Sequence, residues 1–313
     1  MTIDDPPDDG PPMSIAAVQR DSGLSKDTLR AWERRYGFPD PLRDAHDERL
    51  YPPAQIAKLR LLRRLVEAGH RPGKIVGRPA DELAQLVRGL DVVEPQAISP
   101  EAQEVLARLA AYDVERLRAF LASLVVRSGL RAFAADLGPA LAQAVGAAWW
   151  RGELEIHQEH LFTEQFTAVL RNGINSILGA GTPQGRPRVL LSTFPQEPHA
   201  LGLLMAETMF VLEGCTCVSL GVQTPVPEIA AAARAHGADI LALSFSAIVP
   251  AAQAQAGLAE LRAIVPQTAE IWAGGACVGL RPQPGIGVLR ALSAIGPAVI
   301  AWRAARNETG EAP

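Results

Sequence analysis

The chain is short of cysteine and lysine, with three of each in 313 residues, and no long apolar run interrupts it. Cys215, Cys217 and Cys277 are too few for a disulfide framework and fit a reducing compartment. Cys215 and Cys217 alternate on one face of an expected strand. A CxC pair can hold a metal, but no second cysteine or histidine pair stands near it, so burial in the strand is the simpler reading. No stretch reaches the roughly 18 apolar residues of a membrane span. The opening MTIDDPPDDGPP is acidic and proline-rich, the reverse of a secretory leader. These features predict a cytoplasmic chain without membrane partners. No internal repeat is visible. Aromatic residues make up 5% and hydrophobic residues 48%, which still suffices for globular cores in two or three domains.

The overall charge of −4 argues against a polyanion partner, but its distribution reverses that view. Met13 to Ile75 carries 13 basic against 8 acidic residues, and all three lysines (Lys26, Lys58, Lys74) lie there. Residues 76–313 carry 17 basic against 22 acidic residues. A small basic head on an acidic body suits a DNA-binding module joined to a sensor.

The pattern along the chain predicts five stretches: a disordered tail (1–12), a head (13–91), a linker (92–100), a helical bundle (101–181) and an α/β domain (186–307). In the head, helical spacing over 14–21 meets the turn Ser22-Gly23. Ser25 caps a second helix, 26–36, which Gly37 stops. That is a helix-turn-helix. Pro39, Pro41 and RDAHDERLY read as a hairpin, or wing. A long helix follows with apolar residues at Ile56, Leu59, Leu62, Leu65 and Val66, then another near 80–89. Breaks near Asp113, Ser128-Gly129 and Gly152 divide the next stretch into about four helices, the third running over 130–150. After the loop TPQGRPR, strands are expected at 189–194, 216–221, 240–245, 270–275 and 298–302. Helices are expected at 199–213, 226–236, 252–264 and 285–294. That alternation predicts a doubly wound, Rossmann-like parallel sheet with its ligand at the carboxyl ends of the strands. The fold class is therefore multidomain: an all-α winged helix-turn-helix, a four-helix bundle and an α/β doubly wound domain.

The run Leu29-Arg30-Ala31-Trp32-Glu33-Arg34-Arg35-Tyr36-Gly37, with Pro41, Arg43, Arg49-Leu50-Tyr51 and the leucine-rich helix ending at Gly69, resembles the MerR family of transcription regulators. The resemblance implies a recognition helix at 26–36 in the major groove and a wing on the adjacent backbone or minor groove of a double-stranded DNA operator. Lys26, Thr28, Arg30 and Arg35 can donate to phosphates or base edges, with Tyr36 closing the helix, and Arg49 and Tyr51 sit on the wing. Leu29 and Trp32 are expected in the core.

Directly after the first strand of the α/β domain stands Glu197-Pro198-His199-Ala200-Leu201-Gly202. It resembles the E/D-x-H-x-x-G motif of B12-binding domains in methionine synthase, methylmalonyl-CoA mutase and CarH-type photoreceptors. The resemblance implies that His199 is the lower axial ligand of cobalt, that Glu197 hydrogen-bonds its imidazole, and that Gly202 lets the backbone approach the corrin. Neutral imidazole suits cobalt, and a loop after a parallel strand is a fitting place for it. Ser244-Phe245-Ser246 and Gly274-Gly275 stand where the family lines the channel for the nucleotide tail, with Ser246 in place of a usual leucine. Gly221-Val222-Gln223-Thr224-Pro225 resembles the family's second strand-to-helix turn.

Trp149, nine residues, then Glu159-His160 matches the W-x9-EH pattern of CarH-type bundles, where these side chains cap the upper corrin face and the tryptophan meets the adenosyl group. Head, bundle and B12 domain follow in CarH order. One position departs from it. Where studied family members place a histidine that ligates cobalt after photolysis, this chain has Trp150, and indole cannot ligate. His157, His160 or water remain to take that place. The resemblance as a whole implies a light-responsive repressor that binds adenosylcobalamin and forms a cofactor- and light-dependent homo-oligomer, not an enzyme. Rival readings are a regulator that senses cobalamin or another tetrapyrrole without light, one that works without cofactor, and a B12 enzyme component. The last leaves the basic head unexplained.

Overall fold

The computed structural model describes residues 11–67, 70–90, 98–180, 185–247 and 249–308. Most of the expected tail, residues 92–97 of the expected linker, and part of the loop before the α/β domain lie outside the described residues. The chain groups into two compact units. One comprises the described residues up to Ile98 together with Trp149–Ile156; the other comprises Ser99–Ala148 and the described residues from His157 onward.

In the first unit, α1 (Ile15–Ser22) and α2 (Lys26–Tyr36) form the helix-turn-helix. Ser25 Oγ accepts from Thr28 N at 3.1 Å, which satisfies one of the orphan amides of the first turn. Strands β1 (Met13–Ser14), β2 (Leu42–Arg43) and β3 (Arg49–Tyr51) make a small antiparallel sheet in the order β1-β3-β2, so the wing is a hairpin with an added N-terminal strand. Helices α3 (Pro53–Glu67), α4 (Pro72–Ile75) and α5 (Ala80–Leu90) complete the unit. Leu29 and Trp32 of α2 pack with Val18, Ile56, Leu59, Leu62 and Leu65 in one core, as the 3.6-residue spacing predicts.

The second unit begins with α6 (Pro100–Ala110), α7 (Val114–Ala132), most of α8 (Gly138–Arg151) and α9 (Ile156–Gly179). The predicted breaks appear as physical events. The Asp113 side chain caps α7, Gly129 kinks it with φ 79° and ψ 153°, and Gly152 leaves α8 with φ 77°. The expected third helix starts with a single π-helical turn, Phe133–Leu137, before α8. In the bundle core Phe166 stacks on Phe133 and packs tilted against Phe162, with ring centroids 5.2 and 5.4 Å apart.

The α/β part has β4 (Gly185–Ser192), α10 (Leu201–Leu212), β5 (Cys215–Ser219), α11 (Val226–Ala235), β6 (Ile240–Phe245), α12 (Ala251–Ile264), β7 (Glu270–Gly275), β8 (Ile286–Leu289) and α13 (Ile295–Glu308). The sheet is parallel, in the order β5-β4-β6-β7-β8. The order reverses between β4 and β6, which opens a crevice at their carboxyl ends. Two expectations fail. AVIAW (298–302) is not a strand but part of α13, and the expected helix over 285–294 contains β8. The reason is periodicity. Ile295, Val299 and Trp302 are buried while Ile300 is 62% exposed, a helical stripe and not a two-residue alternation.

Candidate functional site

On α2, Lys26, Arg30, Arg34 and Arg35 are exposed, while Leu29 and Trp32 fill the core beneath them. Arg34 was not among the expected contacts. It lies one turn beyond Arg30, a spacing that places both on one face. Thr28 is partly occupied locally, its Oγ1 lying 2.8 Å from Ser25 Oγ. Tyr36 is half-buried, with the Arg35 guanidinium 5.4 Å from its ring centroid. On the wing, Arg49 is held in a fork by Glu33 of α2 at 2.9 and 3.3 Å, which braces wing against recognition helix and raises the Arg49 pKa. Tyr51 corrects an expectation. It is fully buried and belongs to the head core, so its hydroxyl is not offered to a groove. In a three-residue strand, alternation turned Tyr51 inward.

The sheet end presents a second constellation, built across the β4/β6 crevice. Glu197 lies in the loop after β4 with 1% exposure. Its Oε1 accepts from the His199 backbone amide at 2.9 Å and lies 2.6 Å from His199 Nδ1; its Oε2 accepts from Ser246 N, just past β6, at 2.5 Å. Burial pushes the Glu197 carboxyl up, but the hydrogen bonds from His199 and Ser246 outweigh it and hold the group below its ordinary value. A carboxylate at Nδ1 makes that nitrogen the donor and leaves Nε2 as the basic lone pair. The His199 side chain is 51% exposed, so Nε2 is available to a ligand arriving from outside.

Neighbouring residues fix this loop. Thr193, fully buried at the end of β4, donates from Oγ1 to Glu197 O at 2.7 Å and accepts from Gln223 N at 2.8 Å. Sequence gave no signal for Thr193, because a threonine ending a strand is unremarkable. A Cβ on Gly202 would lie 2.9 Å from Ser244 Oγ, so a side chain there would make the serine hydroxyl turn away. Gly274 and Gly275 end β7 opposite Ser244 and Phe245. Gly275 has φ 106°, and a Cβ on it would run into the Phe245 backbone. Serine at 246 adds to the carboxylate contact, because its hydroxyl as well as its main-chain amide hydrogen-bonds Glu197, and a leucine would keep only the amide.

Other candidates stand apart. Cys215 is buried at the start of β5 and its thiol is pushed up to about 12, with Cys217 raised as well, both by desolvation. Such thiols bind no metal readily, and no cluster of three metal-ligating side chains occurs among the described residues. Glu159 Oε2 lies 2.7 Å from His160 Nδ1, and its Oε1 accepts from Thr163 Oγ1 at 2.9 Å. Trp149 and Trp150 end α8 and group with the other unit.

Residues 13–77 match the family described as MerR HTH family regulatory protein, and residues 187–288 match the B12 binding domain. The chain is 33% identical over 266 residues to the HTH-type transcriptional repressor CarH of Myxococcus xanthus, covering 82% of this chain and 86% of that protein. The chain belongs to the CarH family. A second relative, the HTH-type transcriptional repressor CarA of Myxococcus xanthus, is 27% identical over 74% of this chain and 76% of its own length. Among solved structures, a monomethylamine corrinoid protein of Methanosarcina barkeri is similar at 12% identity and a TM-score of 0.46, covering 63% of this chain and 96% of that one. This CarH-family chain is thus a MerR-headed regulator with a B12-binding domain, and not an enzyme. No helix among the described residues is long and apolar enough to cross a membrane.

Proposed function

We propose that the chain is a cobalamin-dependent transcriptional repressor that takes adenosylcobalamin as its light-sensitive cofactor and binds its operator as an oligomer. The observation that carries the reading is the Glu197–His199 pair at the sheet's switch point, with the carboxylate at Nδ1 on a half-exposed imidazole. The residues present fit a corrin. Gly202, Gly274 and Gly275 leave the mouth of the crevice without side chains, and at Gly275 the Phe245 backbone excludes one.

His199 would be the lower cobalt ligand, with Glu197 fixing its tautomer. Ser244, Ser246, Gly274 and Gly275 would line the path of the nucleotide tail. Trp149, Trp150, Glu159 and His160 would cover the upper face, the indole of Trp149 filling apolar space and the Glu159–His160 pair offering hydrogen bonds to a ribose. When bound, adenosylcobalamin supplies a cobalt–carbon bond that visible light breaks. Lys26, Arg30, Arg34 and Arg35 would meet the operator, and several heads on one oligomer would raise avidity by roughly 10²–10⁴.

Trp150 favours a variation on the family scheme. An indole at this place supplies no second nitrogen for cobalt, so the illuminated form would not gain an upper histidine from position 150. The test is absorbance and size-exclusion chromatography with adenosylcobalamin, in darkness and after green light. The expected result is a red, His-ligated oligomer in the dark that dissociates on illumination. His199→Ala should lose the His-ligated spectrum. Wild-type protein that stays colourless after exposure to cobalamin contradicts the reading.

A further inference from the structure

The arginines of α3 tie the helix in two directions. Arg60 forms a fork with Asp21 of α1, at 2.9 and 2.7 Å, and Arg63 Nη1 donates to Gly23 O in the α1–α2 turn at 3.2 Å. The next residue, Arg64, points elsewhere. Its Nη2 donates to the main-chain carbonyl of Trp149 at 2.7 Å, and its guanidinium carbon lies 6.0 Å from the Trp149 ring centroid. The same carbonyl accepts from Gly152 N at 2.9 Å, where the chain turns away from α8. Trp149 thus lies in a last helical turn, where carbonyls lack intrahelical partners and carry the negative end of the helix dipole. A guanidinium supplies both the donor and the charge that this turn needs. The helix that holds it is anchored by fully buried Leu59, Leu62 and Leu65, so it cannot shift without carrying Arg60 and Arg63 along.

We propose that Arg64 is a positioning residue that couples the cofactor cap at Trp149 to the helix-turn-helix through α3. The proposal rests on the reading of Trp149 as the cap over the ligand. Movement of the α8 end as the indole settles on its ligand changes the geometry at Arg64, and α3 carries the change to the turn that sets α1 against α2. The coupling is reciprocal: DNA that fixes the head alters affinity for the cofactor by the same factor.

The experiment measures binding of full-length protein to a duplex selected by the wild type from a random pool, with and without adenosylcobalamin in darkness. For wild type, cofactor should tighten DNA binding through the oligomer's avidity and, beyond that, by about 5- to 150-fold through this coupling, the usual span of such effects. Arg64→Ala should shrink that change by about fivefold or more, with the oligomer's avidity retained, while its corrin spectrum and its cofactor-free DNA affinity stay near wild type. A solely structural role would lower both affinities together and leave their ratio intact. Arg64→Lys, which keeps a cation at the helix end, should recover part of the coupling. If Arg64→Ala does not fold, Arg64→Gln, a neutral planar donor, serves for the same comparison. Full wild-type coupling in folded Arg64→Ala or Arg64→Gln overturns the proposal. Failure of wild type to take up cobalamin is seen in absorbance before DNA is added, and it overturns the functional reading beneath it.

Discussion

At the scale of single residues, the decisive feature is how one carboxylate controls one imidazole. Glu197 is nearly sealed from solvent and accepts from two main-chain amides besides facing Nδ1. Its folded-state pKa is depressed, so the stability it contributes is present above the ordinary carboxylate value and is lost as pH falls through the folded value. Glu197→Gln should lower melting temperature at neutral pH, and the gap to wild type should close as pH drops from about 5 to 3. The same variant should weaken cobalamin binding by about 10- to 100-fold, measured by absorbance titration. A gap that widens in acid contradicts the assignment. Tyr51 gives a second test. Its hydroxyl is buried and without a hydrogen-bond partner among the described residues. Tyr51→Phe should therefore leave DNA affinity within about twofold and stability unchanged or slightly higher, by gel shift and thermal melting. A tenfold loss of DNA affinity would restore Tyr51 to the groove. Glu197 and His199 were legible because they are neighbours in a motif. The Ser246 amide was not, since any residue supplies one and only the fold brings position 246 to position 197.

At the scale of elements, period was readable where a helix or strand was long and ambiguous where it was short. The helices of head and bundle showed their stripes clearly, and Asp113, Gly129 and Gly152 marked real interruptions. The four apolar β4, β5, β6 and β7 segments were also plain. The failure at 298–302 came from five residues too apolar to show which period ruled. Val299 and Ile300 now separate the two readings. Val299→Ala should cost about 1.5–2 kcal/mol from two lost buried methyl groups, and Ile300→Ala no more than about 0.5 kcal/mol. Denaturant titration of both variants checks this. Equal losses, or the reverse order, contradict the helix.

At the scale of the molecule, the order of modules was legible from charge and motif: a basic head, a helical stretch, then a domain with its histidine after the first strand. The association of Trp149–Ile156 with the head unit was not, because connectivity alone assigns that segment to the bundle helix it ends. Tertiary contacts of Arg64 reassign it, and no local pattern announces them. The proposed cofactor chemistry turns on which nitrogen occupies cobalt's lower side. The most direct measurement is the electron paramagnetic resonance spectrum of protein loaded with cob(II)alamin and labelled at histidine with the heavy stable isotope of nitrogen. Ligation by His199 predicts that the triplet superhyperfine splitting of unlabelled protein becomes a doublet, and that His199→Ala loses the doublet. A triplet that persists in labelled wild-type protein means that cobalt keeps its own dimethylbenzimidazole, which contradicts the account.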